Sequence, residues 1–396
     1  MPDSPFRACV LQVVPELDAG GVEQTTVDVS AAVVAAGGRS IVVSRGGRLA
    51  ERLEKAGAAL VVLPVHSKNP FVQMQNHFAL RRLIRGHAVD IVHVRSRAPA
   101  LAAIAAARAE NIRSVATYAG IYNARSPLKL WYNSQMTHAD MTIANSDFTR
   151  AHILAAYAGV PPERVISIPR GIDVECFDPE AFDVRKIMKL EAAWHAREDT
   201  IRFVLAGRLT RWKGQALIVE AARLLKNNGD GAFQIFMAGD DQGRSDYRRE
   251  LESMIDNYGL RDEVRLVGHV DDMPSAYTAC HFALAPSLEP EAFGRTAVEP
   301  QAMQRPVLAA AHGATAETVI DGVTGWLVAP GDAAAWADAM RQAMGLDAAR
   351  RFTMGARGRD NVRARFALDV MCARTLDVYR ALLILTERRR LGGHNP

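Results

Sequence analysis

Two glutamates, Glu291 and Glu299, have seven residues between them and follow an apolar run at residues 281–286. The apolar run predicts a strand, and the residues from Glu291 onward predict a helix that carries one carboxylate at its start and the other two turns later. Both then project from the same end of a sheet, where carboxylates accept hydrogen bonds from several hydroxyls of one polyhydroxylated ligand. The turn at residues 292–294 offers N–H groups at a helix N-terminus, which stabilise an anionic phosphate. The alternative is a pair of solvated glutamates on a surface helix.

Two basic residues, Arg208 and Lys213, occupy a comparable position earlier in the chain, within the segment 203–214. Arg208 lies at the carboxyl end of a predicted strand, and Lys213 comes just before the next predicted helix. A fork-shaped guanidinium and a compact ammonium at such an edge can hold a diphosphate and offset its charge without a metal ion. The alternative is that both are ordinary solvated basic residues.

A pair of glycines, Gly20 and Gly21, follows the first predicted strand and precedes a helix predicted from about Val22. Glycines let the backbone approach a ligand closely and leave the first helical N–H groups open to phosphate or sugar oxygens. Their spacing does not match the GxGxxG dinucleotide fingerprint. A simple turn between a strand and a helix is the alternative.

The elements that must position these residues alternate along the chain as short β-branched runs and helical stretches. Near-continuous apolar strands are typical of a parallel sheet that is covered on both faces. The predicted strands are residues 8–14, 40–44, 59–65, 90–94, 114–118, 141–144 and 165–168, and, after a charged break at 178–200, residues 202–206, 233–238, 264–267, 282–285, 307–311 and 326–328. This rhythm predicts an α/β protein with two doubly wound Rossmann-like domains facing a central cleft, with ligands at the carboxyl ends of the strands.

The domain boundaries follow from this rhythm and from length, because 396 residues exceed one ordinary core. We predict an N-terminal Rossmann-like domain at 1–180 and a C-terminal Rossmann-like domain at 181–370. Residues 371–396 are predicted to form a helix that returns to the first domain, followed by a basic tail with Arg388–Arg390. The chain is expected to be mostly helical from Asp332 onward.

Composition excludes several classes of function. The formal net charge of +4 lacks the clustered basic footprint of a nucleic-acid-binding protein. The four cysteines have no CxxC spacing, so neither a metal site nor a disulfide framework is predicted, and a reducing compartment fits best. The N-terminus lacks the pattern of a signal peptide, and no apolar run approaches the length of a membrane span. These features predict a cytoplasmic protein.

Taken in order, the motifs resemble those of the retaining glycosyltransferases of family 4, also called group 1, which have the two-domain GT-B architecture. The motifs are Gly-Gly-Val-Glu at 20–23, Gly-Arg-Leu-x-x-x-Lys-Gly at 207–214, the spaced glutamate pair, and Asp-Gly-x-x-Gly-Trp-Leu-Val at 321–328; residues 143–146, 168–173 and 267–270 support them. The resemblance covers nearly the whole chain. It implies a fold of the GT-B type, with C-terminal helices packing back toward the first domain. It also implies that the domain at 1–180 is on the acceptor side and that the domain at 181–370 binds the nucleotide sugar.

The resemblance also implies roles for individual residues. Arg208 and Lys213 would hold the donor diphosphate, Glu291 would contact the transferred sugar, and these three are the catalytic candidates. The remaining candidates for binding the donor are Gly20, Gly21, Gly268, His269, Val270, Phe293, Gly294, Arg295 and Glu299. Of these, Glu299 would bind the ribose hydroxyls, and residues 268–270 would line the base pocket. No cofactor and no bound metal are expected, because the nucleotide sugar is itself a substrate.

Two positions depart from the family pattern. Gln304 stands where the family usually has a glycine, and we expect a local backbone adjustment that avoids left-handed torsion angles. Ala119 stands where many relatives carry a histidine that contacts the donor sugar, which bears on transfer chemistry and donor choice. His93 and Arg95, at the end of the fourth strand, are predicted in the same region as acceptor-side candidates together with Ala119. A buried, satisfied polar group is the alternative for His93.

A mixed aromatic and basic segment, Leu128–Tyr132, follows the predicted helix start at Ser126-Pro127. Its composition allows contact with a lipid-linked acceptor at the cytoplasmic face of the inner membrane, and an ordinary amphipathic helix is the alternative. Arg81, Arg82 and Arg85 are predicted to form a solvated helix face.

The resulting hypothesis is a metal-independent retaining glycosyltransferase. It moves a sugar from a nucleotide diphosphate donor to a glycan or glycolipid acceptor in cell-envelope polysaccharide or lipopolysaccharide biosynthesis. The alternative is a non-catalytic or weakened relative that binds sugar nucleotide or glycan as a partner subunit, and Ala119 motivates it. A nicotinamide oxidoreductase shares the architecture but requires fingerprint glycines and an acidic ribose ligand that this chain lacks.

Overall fold

A computed structural model describes residues 6–18, 20–122, 126–243 and 245–392 of the chain, with side chains described up to residue 385. The predicted basic tail with Arg388–Arg390 therefore concerns side chains outside the described residues. The chain divides into two compact units. Unit 1 runs to Gly171 and includes the segment from Leu368 onward, and unit 2 is Ile172–Ala367. The division falls at 171/172 and 367/368, where the sequence suggested 180/181 and 370/371.

Unit 1 is built on a seven-stranded parallel sheet with the strand order β3-β2-β1-β4-β5-β6-β7. Helices α1 to α6 connect these strands and α15 follows them at the end of the chain. The strands are β1 (Cys9–Val13), β2 (Arg39–Ser44), β3 (Ala59–Val62), β4 (Ile91–Val94), β5 (Arg113–Tyr118), β6 (Met141–Ala144) and β7 (Val165–Ser167). The helices are α1 (Gly21–Ala35), α2 (Ala50–Lys55), α3 (Pro70–Gly86), α4 (Arg97–Ala109), α5 (Pro127–Ser134), α6 (Asp147–Ala156) and, in the final segment, α15 (Leu368–Gly392).

Unit 2 repeats the plan with a six-stranded parallel sheet in the order β10-β9-β8-β11-β12-β13. Its strands are β8 (Ile201–Ala206), β9 (Phe233–Ala238), β10 (Val264–Gly268), β11 (Phe282–Ala285), β12 (Val307–Ala310) and β13 (Gly325–Val328). Its helices are α7 (Val184–Trp194), α8 (Gln215–Asn228), α9 (Ser245–Asn257), α10 (Met273–Thr278), α11 (Arg295–Ala302), α12 (Thr315–Thr318), α13 (Ala333–Met344) and α14 (Ala348–Arg365). All thirteen predicted strands are present, and the two doubly wound sheets confirm the predicted fold class.

Both sheets are buried on their two faces, which explains why the sequence of the strands is almost continuously apolar. In unit 2, one apolar cluster lies under α8, α9 and α13, and a second lies on the opposite face under α10, α11 and α14. In unit 1, the α15 side chains Met371, Leu376 and Tyr379 join the cluster formed by β1 and α1. Of the last three helices, α15 packs on the first sheet, whereas α13 and α14 cover the second. Within the described ranges, no helix combines the length and the apolar composition that crossing a bilayer requires.

The order of strands reverses direction once in each sheet, between β1 and β4 in unit 1 and between β8 and β11 in unit 2. At such a switch point, the loops that follow the two adjacent strands lead to opposite faces of the sheet and leave a crevice at the carboxyl ends. Gly20 and Arg95 follow β1 and β4, and Lys213 and Glu291 follow β8 and β11. The fold therefore brings these four candidates to two crevices, one in each unit.

Candidate functional site

An ion pair between Lys213 and Glu291 lies at the switch point of unit 2. Lys213 ends a single 3₁₀ turn (Arg211–Lys213) after β8, and its Nζ donates to Oε1 of Glu291 over 2.7 Å. Both side chains are 12% exposed. The hydroxyl of Ser287 donates to the same carboxylate oxygen, so Glu291 is held from two sides. A partly buried cation and anion are thus fixed side by side at the carboxyl edge of the sheet.

The backbone around this pair packs closely. The N–H of Leu288 donates to the carbonyl of Trp212 over 2.7 Å and ties the β11 loop to the β8 loop. The N–H of Ala314 donates to the carbonyl of Glu291 over 2.9 Å. The Lys213 ammonium also lies 4.4 Å from the centre of the Trp212 ring, a cation–π distance. These contacts fix the position of the Lys213 side chain before any ligand binds.

The prediction that a helix begins at Glu291 is wrong. Residues 290–293 form a loop, Gly294 is the N-cap with φ of +78°, and α11 begins at Arg295. Left-handed torsion angles at Gly294 interrupt any helical run through it, so Glu291 stands on the loop and not on the first turn. The Phe293 side chain is buried, in an edge-on contact with Phe366, and is part of the core. Only its backbone is thereby available to a ligand.

Glu299 lies one turn into α11 and is buried. Its carboxylate accepts from Nε of Arg295 over 2.7 Å and from the hydroxyl of Tyr277 over 3.3 Å. Burial raises the pKa of Glu299, and the Arg295 guanidinium and its hydrogen bond act in the opposite direction. Arg295, which is about half exposed, therefore favours the ionised form of a carboxylate that burial would otherwise protonate.

The other predicted donor-binding residues of unit 2 lie at the ends of neighbouring strands. Arg208, just after β8, is exposed, and its Nη1 donates to the side chain of Gln242 over 3.2 Å, not to the Lys213–Glu291 pair. Gly268 ends β10 with φ of +75°, and its carbonyl accepts from the N–H of Gly239. His269 is 64% exposed beside Asp271, and Val270 packs against the core.

Gly20 and Gly21 form the N-terminus of α1 in unit 1. Gly20 is the N-cap in an extended conformation. A Cβ on Gly21 would lie 2.7 Å from Nη1 of Arg170, so the missing side chain makes room for that guanidinium. The motif around Arg170 supported the family resemblance, but nothing in the sequence assigned Arg170 itself to a site.

Arg95 and Ala119 line one small cavity at the carboxyl edge of the first sheet, together with Thr117, Asn145 and Arg170. Its volume is about 30 Å³, room for the centre of one or two water molecules. The Arg95 guanidinium is buried, and its Nε donates to Oε1 of Gln12 over 2.7 Å. Among the described residues, neither polar atom of the Asn145 side chain has a hydrogen-bond partner, although the residue is 4% exposed. An unpaired buried amide is costly, so this cavity is suited to a polar ligand.

His93 lies behind this cavity and does not line it. Its Nε2 is 2.7 Å from the hydroxyl of Thr117, and its Nδ1 contacts the hydroxyl of Tyr379 on α15. Burial, and then the Arg95 charge, hold the pKa of His93 well below its usual range. Both ring nitrogens are engaged, so His93 is the satisfied core histidine that the sequence left as its alternative.

The Gln304 prediction is also wrong. The residue adopts φ of +54°, so the backbone keeps the left-handed conformation that suits the glycine of the family pattern. A Cβ on Gly355 of α14 would lie 2.1 Å from the Gln304 carbonyl oxygen, so this helix packs directly on the turn. This tight contact explains why the backbone at residue 304 keeps left-handed torsion angles although the residue there is a glutamine.

Comparison with known proteins supports the fold that is built on the two sheets. Residues 187–360 match the family model described as glycosyl transferases group 1, and residues 19–176 match that of glycosyltransferase family 4. A crystal structure of a glycosyltransferase from Rickettsia africae is 31% identical, with a TM-score of 0.88, and the match covers 95% of this chain and 99% of that one. Anabaena HepE in complex with UDP-glucose is 21% identical, with a TM-score of 0.76 and coverage of 94% and 99%. This likeness is one of fold alone.

The D-inositol 3-phosphate glycosyltransferase of Corynebacterium kroppenstedtii is 30% identical over 246 residues, which are 61% of this chain and 53% of that protein. The chain thus spans about half the length of the curated relatives it matches. Two parallel sheets, each flanked by helices, match the two Rossmann-like domains of the GT-B class. Within that class, the chain belongs to the group 1 glycosyltransferases.

Proposed function

We propose that the protein is a retaining, metal-independent glycosyltransferase that moves a sugar from a nucleotide diphosphate donor to a glycan or glycolipid acceptor. The observation that carries this proposal is the ion pair of Lys213 and Glu291 at the switch point of unit 2. A cation there suits the donor diphosphate, and the adjacent carboxylate suits the hydroxyls of the sugar. The UDP-glucose complex of the Anabaena relative supports a nucleotide sugar as the donor.

In the proposed reaction, the acceptor hydroxyl attacks the anomeric carbon from the face that the diphosphate leaves. The bond from the anomeric carbon to the phosphate oxygen breaks, and a phosphate oxygen of the donor takes the proton of the acceptor hydroxyl. Lys213, with Arg208, stabilises the negative charge that grows on the leaving diphosphate, and such preorganised groups are usually the largest contribution to catalysis. Glu291 holds the transferred sugar, Glu299 holds the ribose hydroxyls, and residues 268–270 line the base pocket.

Substitution of the ion pair tests the donor site. Lys213→Ala is expected to lower donor turnover about 100-fold or more, the usual cost of removing one group that stabilises transition-state charge. Glu291→Ala is expected to lower donor turnover as well, because the carboxylate that holds the transferred sugar is lost. A second ion pair of the same unit, Lys226 with Glu263 at 2.9 Å, supplies the matched controls Lys226→Ala and Glu263→Ala. Near wild-type turnover in both Lys213 and Glu291 variants would remove the proposed roles.

The cavity beside Arg95 and Asn145 in unit 1 is proposed to contact the acceptor. Asn145→Ala is expected to raise the KM for the acceptor more than the KM for the donor, because Lys213, Glu291 and Glu299, which carry the main proposed donor contacts, all belong to unit 2. Ala119 lines the same cavity and favours the second candidate, a relative that binds sugar nucleotide without transferring it. Binding of a sugar nucleotide with no transfer to any acceptor would support that candidate, and robust turnover would eliminate it.

We place the acceptor in cell-envelope polysaccharide or lipopolysaccharide assembly, with the protein in the cytoplasm and in peripheral contact with the inner membrane. A panel of sugar nucleotides tested for thermal stabilisation identifies the donor, because a ligand that binds only the folded state raises the melting temperature. No stabilisation by any member of the panel would contradict the donor half of the proposal.

A further inference from the structure

Unit 1 carries an apolar surface that its own core does not use. Seven large apolar side chains on three helices are between 40% and 74% exposed. They are Phe71, Met74 and Phe78 of α3, Leu101 of α4, and Leu128, Leu130 and Trp131 of α5. We call these seven residues the apolar face. Isolated exposed apolar residues are ordinary on a protein, but a group of them on neighbouring helices is typical of an interaction surface.

The arrangement on α3 shows that the exposure follows from the helical period. Phe71, Met74 and Phe78 are spaced i, i+3 and i+7 and therefore share one side of the helix. Leu80 and Ile84 of the same helix are buried in the core of unit 1. The helix thus has one apolar side that packs on the protein and a second that faces solvent.

A groove joins the three helices into one surface. It measures about 500 Å³ and is lined by Met74, Phe78, Leu101 and Trp131 of the apolar face, with Lys68 at its edge. The Lys68 ammonium lies 6.0 Å from the centre of the Tyr132 ring, which also lines the groove. An aromatic ring with a neighbouring ammonium is typical of the boundary between hydrocarbon and lipid headgroups.

The three segments that carry the apolar face contain basic residues and no acidic ones. Segments 66–86, 97–109 and 126–134 contain seven Lys and Arg residues and no Asp or Glu: Lys68, Arg81, Arg82, Arg85, Arg97, Arg108 and Lys129. Arg81 and Arg85 are paired with Glu110, which lies just beyond α4, whereas Lys68 and Lys129 are on the surface. Positive charge next to exposed apolar side chains complements a bilayer that contains anionic lipids.

We propose that the apolar face, flanked by Lys68 and Lys129, docks unit 1 on a bilayer containing anionic lipids. The apolar side chains enter the boundary between headgroups and acyl chains, and the basic side chains lie at the level of the phosphates. This inference rests on the proposed function, which includes peripheral contact with the membrane. It assigns that contact to the apolar face, and it does not depend on which sugar nucleotide is the donor.

Vesicle sedimentation tests the proposal. The full chain is expected to bind vesicles of phosphatidylglycerol and phosphatidylcholine, and to bind more weakly when the vesicles are pure phosphatidylcholine or when the salt concentration is high. The double variant Phe71→Glu with Leu128→Glu, whose side chains are each 74% exposed, is expected to lose about tenfold or more in partitioning. The matched control, Met188→Glu with Phe352→Glu in unit 2, changes charge equally at positions 63% and 64% exposed and is expected to bind as the wild type does.

Three outcomes would overturn the proposal. The first is failure of the wild type to bind the anionic vesicles, and the second is equal loss in the two double variants. The third is a wild-type dimer that Phe71→Glu with Leu128→Glu dissociates, since it would assign the apolar face to a second copy of the chain. Nucleotide binding by the double variant, measured in solution, separates a failure of docking from a failure of the donor site.

Discussion

The Nζ atom of Lys213 lies 2.7 Å from Oε1 of Glu291, across 78 residues of sequence. The two groups neutralise each other in the absence of a ligand, and each is largely removed from solvent. A diphosphate that binds Lys213 must therefore compete with Glu291 for the same ammonium. The sequence assigned these residues to different parts of the donor, but the structure couples them.

This ion pair predicts that substitutions of Lys213 and of Glu291 have opposite effects on the binding of a nucleoside diphosphate. Lys213→Met is expected to weaken binding of a nucleoside diphosphate without sugar by about tenfold or more, because a charge-assisted hydrogen bond is lost. Glu291→Gln is expected to strengthen the same binding, because it releases the ammonium from its anion. Calorimetry of the two variants decides the point. Weaker binding in both would indicate a pair that only supports the fold.

The pair of Arg295 with Glu299 predicts a dependence on pH. Removal of the guanidinium in Arg295→Met takes away the main influence that lowers the pKa of Glu299, so that pKa rises further. The carboxylate is then protonated at higher pH, and the acidic limb of nucleotide binding moves to higher pH than in the wild type. Affinity measured across the pH range checks this, with Arg350→Met, a substitution of an exposed arginine on α14, as the control. An unchanged limb would separate Glu299 from nucleotide binding.

His281 predicts a loss of stability in acid. Its Nδ1 accepts from the N–H of Arg202 over 2.9 Å, and burial, followed by the charges of nearby arginines, lowers its pKa to about 4. The neutral form stabilises the fold fully above the ordinary value of 6.5, and this stability is lost as the pH falls from 6.5 toward 4.

The free energy of unfolding, measured in urea, is expected to fall between pH 7.5 and pH 4.5 in the wild type. In His281→Asn this fall is expected to be smaller by about 1–3 kcal/mol. The exposed His269→Asn serves as the control and is expected to keep the wild-type slope. Equal slopes in all three proteins would show that protonation of His281 does not oppose folding.

The two ends of α8 predict a contrast between two glycines. Gly214 has φ of +78°, and a Cβ there would lie 2.2 Å from the carbonyl oxygen of Pro286, at the end of β11. Gly229 has φ of +70°, but a Cβ there meets no atom within 4 Å among the residues that the structure describes. Gly229→Ala is expected to cost about 1 kcal/mol for its left-handed backbone, and Gly214→Ala is expected to cost clearly more. Thermal unfolding measures both, and equal costs would contradict the close approach of the β11 loop.

Gln304 predicts a stabilising substitution. Because the residue holds φ of +54°, Gln304→Gly removes a left-handed strain of about 1–2 kcal/mol, partly offset by the greater freedom of glycine in the unfolded chain. The net gain is expected to be about 0.5–1 kcal/mol in denaturant unfolding. Gly355→Ala, which would force a Cβ against the Gln304 carbonyl, is the opposing control and is expected to destabilise. A lower stability of Gln304→Gly would refute the assignment of strain.

The sheets could be predicted from the sequence because their strands are buried on both faces and therefore read as unbroken apolar runs. The beginning of α11 could not, because Glu291 to Phe293 have ordinary helical composition, and the left-handed backbone of Gly294 is fixed by the packing of its loop. The torsion angle of Gln304 could not be predicted for a similar reason, because it depends on the close packing of Gly355, on α14, against the Gln304 carbonyl.

For related physical reasons, the sequence predicted some residues of the candidate site but not the contacts between them. The motifs identified Lys213 and Glu291 as site residues, but their mutual contact depends on two loops that meet only after the sheet forms. Asn145 and Arg170 lie in segments that helped to identify the family, and what singles them out, an unpaired buried amide and a guanidinium against Gly21, is a tertiary property. Periodicity in the sequence predicts burial well, but it says little about which buried polar group lacks a partner.

The membership of α15 in unit 1 has a consequence for the order in which the protein can fold. The last helix supplies Tyr379 to His93 and apolar side chains to the cluster of β1 and α1, although unit 2 is made in between. Residues 6–171 therefore keep part of their interior uncovered until α15 has been synthesised. Chains that stop after residue 367 would carry their defect in unit 1, although the strands of its sheet are made before unit 2.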